Sequence, residues 1–541
     1  MIRYARPFLP LSRFFSALPA ALRWGVAALL FVGMAWLYRH HSLSFSTNSD
    51  YANSLLQGDA IAHGNPLLNH WVMTTVSYYT TDALLYGIGV LIRGFDTVLL
   101  HEIPVVVYLG VLVSAMLLAT NAARRGAKRN VWGAVVVFAS IGLPLGGLGV
   151  NFMIGPARTC TILYMLLMLL LLDTPRVSVP RLLLFGTLLT FTLLGDDFPR
   201  YVIVVPILLL AALRVWRDRA AWKTEVPLVC VAIGAVVAAK VVYALMKLVG
   251  TYVITDSFSS QVAVIPINDV PIHFLRTIES LQVLYYANFW GETIRAGLGA
   301  RVMICILPVS FCFASWYVLA RLAKAARQPV QAIPFDRVSA YLAIGMAINL
   351  LAYTFTNLTT NLGAVRYLVP FCVFGAVLLG RGVSRGVFVR RRTRVLALYA
   401  SLVGALFTLP YFLIAVRQPS YDPPARRMGE WLVANGLREG YGSYWGCAEV
   451  TARSGNRAHI RPIAWDGANF HTFFWGVDSR WFAPSVQPNF VLIDPEGFGT
   501  PPASVIKQFG IPSRTEQQFG YTVLIYDRDI SGKLIVDKLA P

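Results

Sequence analysis

The sequence predicts an all-α polytopic transmembrane bundle of about eleven spans, followed by a C-terminal extracytoplasmic α/β domain. Three observations predict it. The 541 residues are 56% hydrophobic and only 14% charged, where ordinary soluble domains carry about 25%. Apolar runs of roughly 16–23 residues recur, close to the ~20 that a helix needs to cross a bilayer. From residue 417 onward that character is lost and short β-branched or aromatic runs replace it.

The formal net charge of +20 lies largely in clusters beside apolar runs, such as Arg124, Arg125, Lys128, Arg129 and Arg390, Arg391, Arg392, Arg394. Clusters placed there orient a membrane protein and attract anionic lipid. Their location argues for membrane lipid as a partner and against nucleic acid.

The elements follow in order. Arg3, Arg6, Arg13 and Arg23 precede an apolar run ending at Met34-Ala35-Trp36-Leu37-Tyr38. No small-residue cleavage site follows, so this run reads as a retained anchor with a cytoplasmic N-terminus. Spans are expected at 20–38, 103–121, 131–149, 159–173, 180–195, 200–215, 226–248, 301–321, 338–357, 364–380 and 394–416. With the N-terminus inside, the connections 122–130, 174–179, 216–225, 322–337 and 381–393 fall on the inner side, and they hold every strongly basic cluster. Residues 82–100 are also apolar but contain Arg93 and Asp96; counting them as a span would move the Arg124–Arg129 cluster outside. They read as a helix lying at, or re-entrant into, the outer interface. Residues 1–416 are thus the transmembrane domain, with its first outer loop at 39–102, and 417–541 the periplasmic α/β domain.

In that last stretch a helix is expected over 425–436, ending at Asn435-Gly436, then strands at 458–463, 490–493 and 521–526, and a helix over 502–509. Cys447 is the one cysteine of this stretch, so no disulfide can form within it. The other five cysteines lie in apolar runs and read as small buried hydrophobes.

Asp50 stands just beyond the first span, in a polar, aromatic-rich loop. A carboxylate at the outer membrane edge can serve as general base toward an acceptor hydroxyl; Ser49-Asp50 before Tyr51-Ala52-Asn53 equally suits a helix cap. Gly195-Asp196-Asp197-Phe198-Pro199-Arg200 joins two spans on the outer side. There Gly195 can end one helix, Pro199 can open the next, and Asp197 either caps it or, with Asp196, binds a divalent cation (Mg or Mn), the one candidate cofactor. Arg158, Arg200 and Arg366 sit at outer ends of spans, where a guanidinium binds phosphate through its donor fork or snorkels to lipid headgroups. Trp71, Tyr78 and Tyr79 belong to an aromatic set that suits an interface belt, a lipid-tail groove or a sugar platform.

Ser49-Asp50-Tyr51, Gly58, Gly64-Asn65-Pro66, Trp71 and Tyr78-Tyr79-Thr80-Thr81-Asp82 together resemble the first outer loop of GT-C polytopic glycosyltransferases, a superfamily that includes protein mannosyltransferases and the lipid A aminoarabinose transferase. Gly195-Asp196-Asp197 and Arg366-Tyr367-Leu368-Val369-Pro370 also resemble recurrent segments of these proteins. The family's acidic residue pair is a single Asp here, which weakens a metal-dependent version. The resemblance implies an inverting transferase in a bacterial inner membrane, with a polyprenyl-phosphate-sugar donor and a lipid, glycan or protein acceptor. Asp50 would be the base; Arg366 and Tyr367, with Arg158, Arg200 and Trp71, would bind substrate. Other classes predict other features. A transporter or flippase requires ionisable mid-span residues and repeated halves. A lipid-linked glycan polymerase or ligase centres on arginines in a large late loop, and a scaffold tolerates change at Asp50.

Overall fold

The computed structural model describes residues 20–120, 130–155, 158–174, 177–253, 262–291, 293–294, 297–327, 336–359, 362–496 and 499–537. Arg3, Arg6, Arg13, Arg176 and the Arg124–Arg129 cluster lie outside them.

Among the described residues six helices are long and apolar enough to cross a membrane: Leu99–Ala119, Arg219–Leu248, Leu298–Arg327, Arg337–Phe355, Gly363–Ser384 and Arg391–Val416. Each falls on an expected span, and together they make this a multi-pass membrane protein. Ala20–Leu43 forms a further helix of 24 residues. Three expected spans are shorter or interrupted. Thr159–Leu172 and Val179–Gly195 are 14 and 17 residues long, and Arg200–Val204 is a π-turn that runs into helix Val205–Arg217.

The expected span at 131–149 is not one continuous helix: Trp132–Ile141 and Gly146–Met153 meet at 98°. Pro144 in the break has no N–H to continue the ladder. Gly146 follows with φ 54°, where a Cβ would stand 2.5 Å from the Val283 carbonyl oxygen, so only glycine fits this close approach. Residues 82–100 do not form one helix either. A π-turn at Tyr79–Ala83 leads into the ten-residue helix Leu84–Arg93, half the length needed to cross. That helix buries Tyr86 and Val90 and leaves Leu91 and Ile92 exposed. The next helix starts at Leu99, earlier than expected, with Glu102 in its first turn bonded to Arg93 at 2.6 Å and to Arg39 at 2.9 Å.

Buried ion clusters gather one end of the bundle. Arg381 is fully buried and donates to the Leu118 carbonyl, Ser339, Asp173 and Asp336. Arg385 bonds the other side of Asp173 at 2.6 Å. Nearby Glu225, 1% exposed, holds Arg214 at 2.9 Å and Arg337 at 2.7 Å. Residues of the connections 216–225, 322–337 and 381–393, which charge assigned to a single side, therefore meet in space. Desolvated charges of this kind are tolerable only when paired and hydrogen-bonded on most sides, and these are.

The C-terminal region holds a six-stranded mixed sheet in the order Phe470–Thr472, His459–Trp465, Glu439–Gly442, Phe490–Ile493, Tyr521–Ile525, Arg514–Gln518. The central strand Glu439–Gly442 pairs in parallel with both neighbours; the outer pairs are antiparallel. Strand side chains alternate between faces, and two cores follow. Phe490 and Leu492 pack with Met428, Leu432 and Val450 from helices Pro424–Ala434 and Tyr444–Arg453. Val491 and Ile493 pack with Val505 and Phe509 of helix Pro502–Phe509 on the other face. Three strands and both outer helices were expected; the strands Glu439–Gly442, Phe470–Thr472 and Arg514–Gln518 and the helix Tyr444–Arg453 were not.

This region is seated on the bundle. Trp71–Met73 pairs in parallel with Tyr252–Val253 and antiparallel with Val477–Asp478, which makes a second, three-stranded sheet from three distant parts of the chain. Helix Tyr444–Arg453 lies on helix Ser49–Ala62. Thr47 donates to Glu449, Ser49 to the Trp445 carbonyl and Asn456 to Asp59.

Candidate functional site

Helix Ser49–Ala62 starts from Asn48, whose side-chain oxygen accepts from the amides of Asp50 and Tyr51. Asn48, not Asp50, is therefore the cap, and the Asp50 carboxylate is free of that duty. It accepts a hydrogen bond from the Tyr444 hydroxyl of the C-terminal region. Tyr51 feels the charges of both Asp50 and Arg366. Burial pushes its phenol up to about 12, the Asp50 charge adds to this and Arg366 opposes it.

Arg366 leads into helix Val369–Ser384 through the 3₁₀ turn Leu362–Leu368. Its guanidinium lies 5.3 Å from the centre of the Tyr367 ring, and Arg158 lies 4.8 Å from the same ring. Arg158 also stacks on Phe198 at 5.1 Å and pairs with Asp196 at 3.4 Å. Burial works against its charge, but the Asp196 carboxylate prevails and holds the guanidinium above its ordinary range. Tyr78 completes the cluster. Burial raises its phenol, while Arg158 and Arg366 oppose and Asp196 and Asp82 reinforce that shift. Tyr78 and Arg158 both have left-handed backbones, φ 49° and 67°, a cost of order 1–3 kcal/mol each that tends to concentrate at functional sites.

The Gly195–Arg200 turn fixes this arrangement. The Tyr78 amide donates to the Gly195 carbonyl at 3.0 Å. A Cβ on Gly195 would stand 2.8 Å from Thr81. Asp196 accepts from Thr161 at 3.0 Å and from the Phe198 amide at 3.0 Å. Asp197 is not a cap: it bonds Arg200 at 2.8 Å. Both carboxylates of the candidate metal pair are thus turned to arginines. Among the described residues no group of three or more His, Cys, Asp or Glu side chains is gathered for a metal ion. The donor set does not fit a divalent cation, which requires several oxygen ligands.

A cavity of about 730 Å³ opens beside the cluster. Arg158, Arg200, Lys240 and Lys247 line it against two anions, Asp196 and Asp197, and the rest of its wall is mostly apolar. The array is suited to one negatively charged headgroup carried on an apolar tail.

The structure therefore joins Arg366, Tyr367, Arg158 and Asp196 in one cluster, leaves Asp50 close enough to Arg366 for their charges to interact, and places Arg200 and Asp197 along the cavity. It places Trp71 elsewhere. That residue is 3% exposed, edge-on to Trp481 at 5.7 Å, in the joint between the first loop and the C-terminal region. Trp71 is thus a packing residue and not an open platform. Five contributors were missed. Tyr444 lies 394 positions from Asp50 and no sequence signal links them. Asp82 and Tyr78 were read only as part of a loop segment. Lys240 and Lys247 were visible as ionisable residues within an apolar span, a signal of function in its own right.

Among solved structures, ArnT from Cupriavidus metallidurans bound to undecaprenyl phosphate matches with a TM-score of 0.50 and 11% identity, over 92% of this chain and 97% of that one. Its apo state matches with a TM-score of 0.46 and 14% identity, over 94% and 98%. No protein-family model and no curated protein matches the sequence. At such low identity the first likeness is one of fold, and it extends over nearly the whole of both chains.

Proposed function

We propose that this protein is an integral membrane glycosyltransferase that takes its sugar from a polyprenyl-phosphate donor. The observation that carries the reading is the cluster of Arg366, Tyr367 and Arg158, with Asp50 in electrostatic reach of Arg366, beside a basic cavity with apolar walls. The related fold that binds undecaprenyl phosphate is consistent with it.

The chemistry is a single displacement. Asp50 takes the proton of an acceptor hydroxyl as its oxygen attacks the anomeric carbon. The bond from that carbon to the phosphate oxygen breaks, and the electron pair leaves with the lipid phosphate. One displacement inverts the carbon. Negative charge grows on the departing phosphate, where Arg366 and Arg158 stand already desolvated and fixed by Tyr367, so their attraction to it is strong. Lys240, Lys247 and Arg200 draw the anionic donor toward the cavity. A lipid-linked donor suits a site on the extracytoplasmic side, because nucleotide sugars are confined to the cytoplasm. In this reading the protein sits in a bacterial inner membrane with a cytoplasmic N-terminus, residues 1–416 form the catalytic domain, and residues 417–541 form a periplasmic domain. The acceptor is a lipid, glycan or protein hydroxyl.

Undecaprenyl phosphate itself is the probe for the donor site. Binding to the purified full chain, followed by thermal shift in detergent, is expected for the wild type and for the surface variant Arg426→Ala. It is expected to weaken at least tenfold in Arg366→Ala and Arg158→Ala. Equal binding by all four proteins would refute the assignment of the donor site.

A further inference from the structure

The C-terminal region reaches the reactive carboxylate directly. The Tyr444 hydroxyl donates to Asp50 Oδ1, and Asn53 Nδ2 donates to the same hydroxyl oxygen at 3.2 Å. Asn53 lies one helical turn along from Asp50, so both bonds come from one face of one helix. The phenol ring is 9% exposed and is held edge-on by Trp445 at 5.1 Å and Phe473 at 5.8 Å. Gly476, with φ 64°, closes the pocket from behind: a Cβ there would stand 2.7 Å from the Asn53 side-chain nitrogen. Both the hydroxyl and the ring of Tyr444 are thus fixed, and its one donor hydrogen is aimed at Asp50.

We propose that Tyr444 is the positioning residue for the Asp50 base, so that the C-terminal region forms part of the catalytic site rather than an appendage to it. The inference rests on the reading of Asp50 as base. A carboxylate has two oxygens, and only one can face an incoming acceptor hydroxyl in line with the leaving phosphate. Tyr444 holds Oδ1 and thereby fixes the rotation that presents Oδ2. Its hydrogen bond also stabilises the charged carboxylate that the reaction needs. Burial first, and then the Asp50 charge, keep the phenol well above its ordinary titration range. Tyr444 is therefore a neutral donor at every pH at which the enzyme works and does not compete as a base.

The test uses the full chain in membranes of source cells that lack their own copy, where native donor and acceptor are present. Three variants are compared with wild type at matched expression: Tyr444→Phe, Asn53→Ala and Asp50→Asn. Tyr444→Phe keeps the packed ring and removes the bond. It is expected to lower kcat about tenfold, the value of one hydrogen bond to a charged group, with KM unchanged. Asn53→Ala leaves the ring alone, frees the hydroxyl to rotate, and is expected to give a smaller change in the same direction. A merely structural role for Tyr444 would lower the amount of folded protein and leave kcat per folded molecule in place. That result, or wild-type kcat in Tyr444→Phe, would overturn the proposal while Asp50→Asn remained inactive. An active Asp50→Asn would instead remove the base on which the proposal depends.

Discussion

Asp196 and Asp197 are adjacent, bear the same charge and each meet an arginine, yet they are expected to behave very differently when neutralised. The Asp197–Arg200 pair is shorter, 2.8 Å against 3.4 Å for Asp196–Arg158. Distance alone would rank it first. Exposure reverses the order: the side chains of the first pair are 38% and 29% exposed, those of the second 1% and 5%. Exposed pairs contribute about 0–1 kcal/mol, because water screens them and competes for the same groups. At 3.4 Å and an effective dielectric of about 20, a buried pair attracts by about 5 kcal/mol, and removing one partner strands the other charge at a cost of roughly 3–5 kcal/mol. Asp196→Asn also turns an amide donor toward the Arg158 guanidinium. Asp196→Asn is therefore expected to lower the thermal midpoint of the purified protein by about 5 °C or more and to weaken undecaprenyl phosphate binding at least tenfold, because Arg158 loses its anchor. Asp197→Asn is expected to shift the midpoint by less than about 2 °C. Both are read by thermal unfolding in detergent with and without the lipid. An equal or larger effect at Asp197 would refute the reasoning that burial, and not separation, decides the strength of these pairs.

Other outcomes follow from the same physics. Burial pushes the Asp82 carboxyl up to about 7; the Thr81 hydrogen bond opposes this and Asp196 adds to it. Between about pH 4 and pH 7 the native protein keeps a proton that the unfolded chain has released, so this group makes stability fall as pH rises through that window and has no further effect above it. Asp82→Asn mimics the protonated form and is expected to flatten that slope in thermal unfolding between pH 5 and pH 8; an unchanged slope would contradict it. Trp71→Ala empties a buried site shared by the first loop and the C-terminal region, and is expected to cost about 3–5 kcal/mol. The signature is early protease cleavage between the two parts in limited proteolysis. Arg381→Met leaves Asp173 with Arg385 alone and is expected to lower the yield of folded protein, measured as the monodisperse fraction in gel filtration.

What the sequence disclosed follows from the range of each signal. A long apolar helix announces itself over about twenty consecutive residues, and the six helices long and apolar enough to cross a membrane lie where the apolar runs do. The basic connections were assigned to one side, and residues of three of them, Glu225, Asp336, Arg337 and Arg381, do meet at one end. The break at Leu143-Pro144-Leu145-Gly146 was legible in principle, since proline and glycine punctuate helices, but the apolar character of 131–149 runs across it without interruption. Short strands such as Glu439–Gly442, with two glycines in four residues, carry almost no propensity and are fixed by their neighbours in the sheet. In the site, Arg366 stood out because basic residues are fewer on the side read as outer, and Asp50 because it stands just beyond the first apolar run. Asp196 and Asp197 were visible as a pair, but which one turns inward is decided by Thr161 and Arg158 across the bundle. Tyr444 had no local mark at all, because its role depends on how a distant sheet is seated on helix Ser49–Ala62.

The central claim is that Asp50 is the base of a sugar transfer from a lipid phosphate. Asp50→Asn keeps the side-chain shape and its contact with Tyr444 while removing the basic carboxylate. In membranes of source cells complemented with wild type or variant at equal expression, the account predicts that the glycosylated product disappears and undecaprenyl-phosphate-linked sugar accumulates in the variant. Undiminished product with Asp50→Asn would contradict the account.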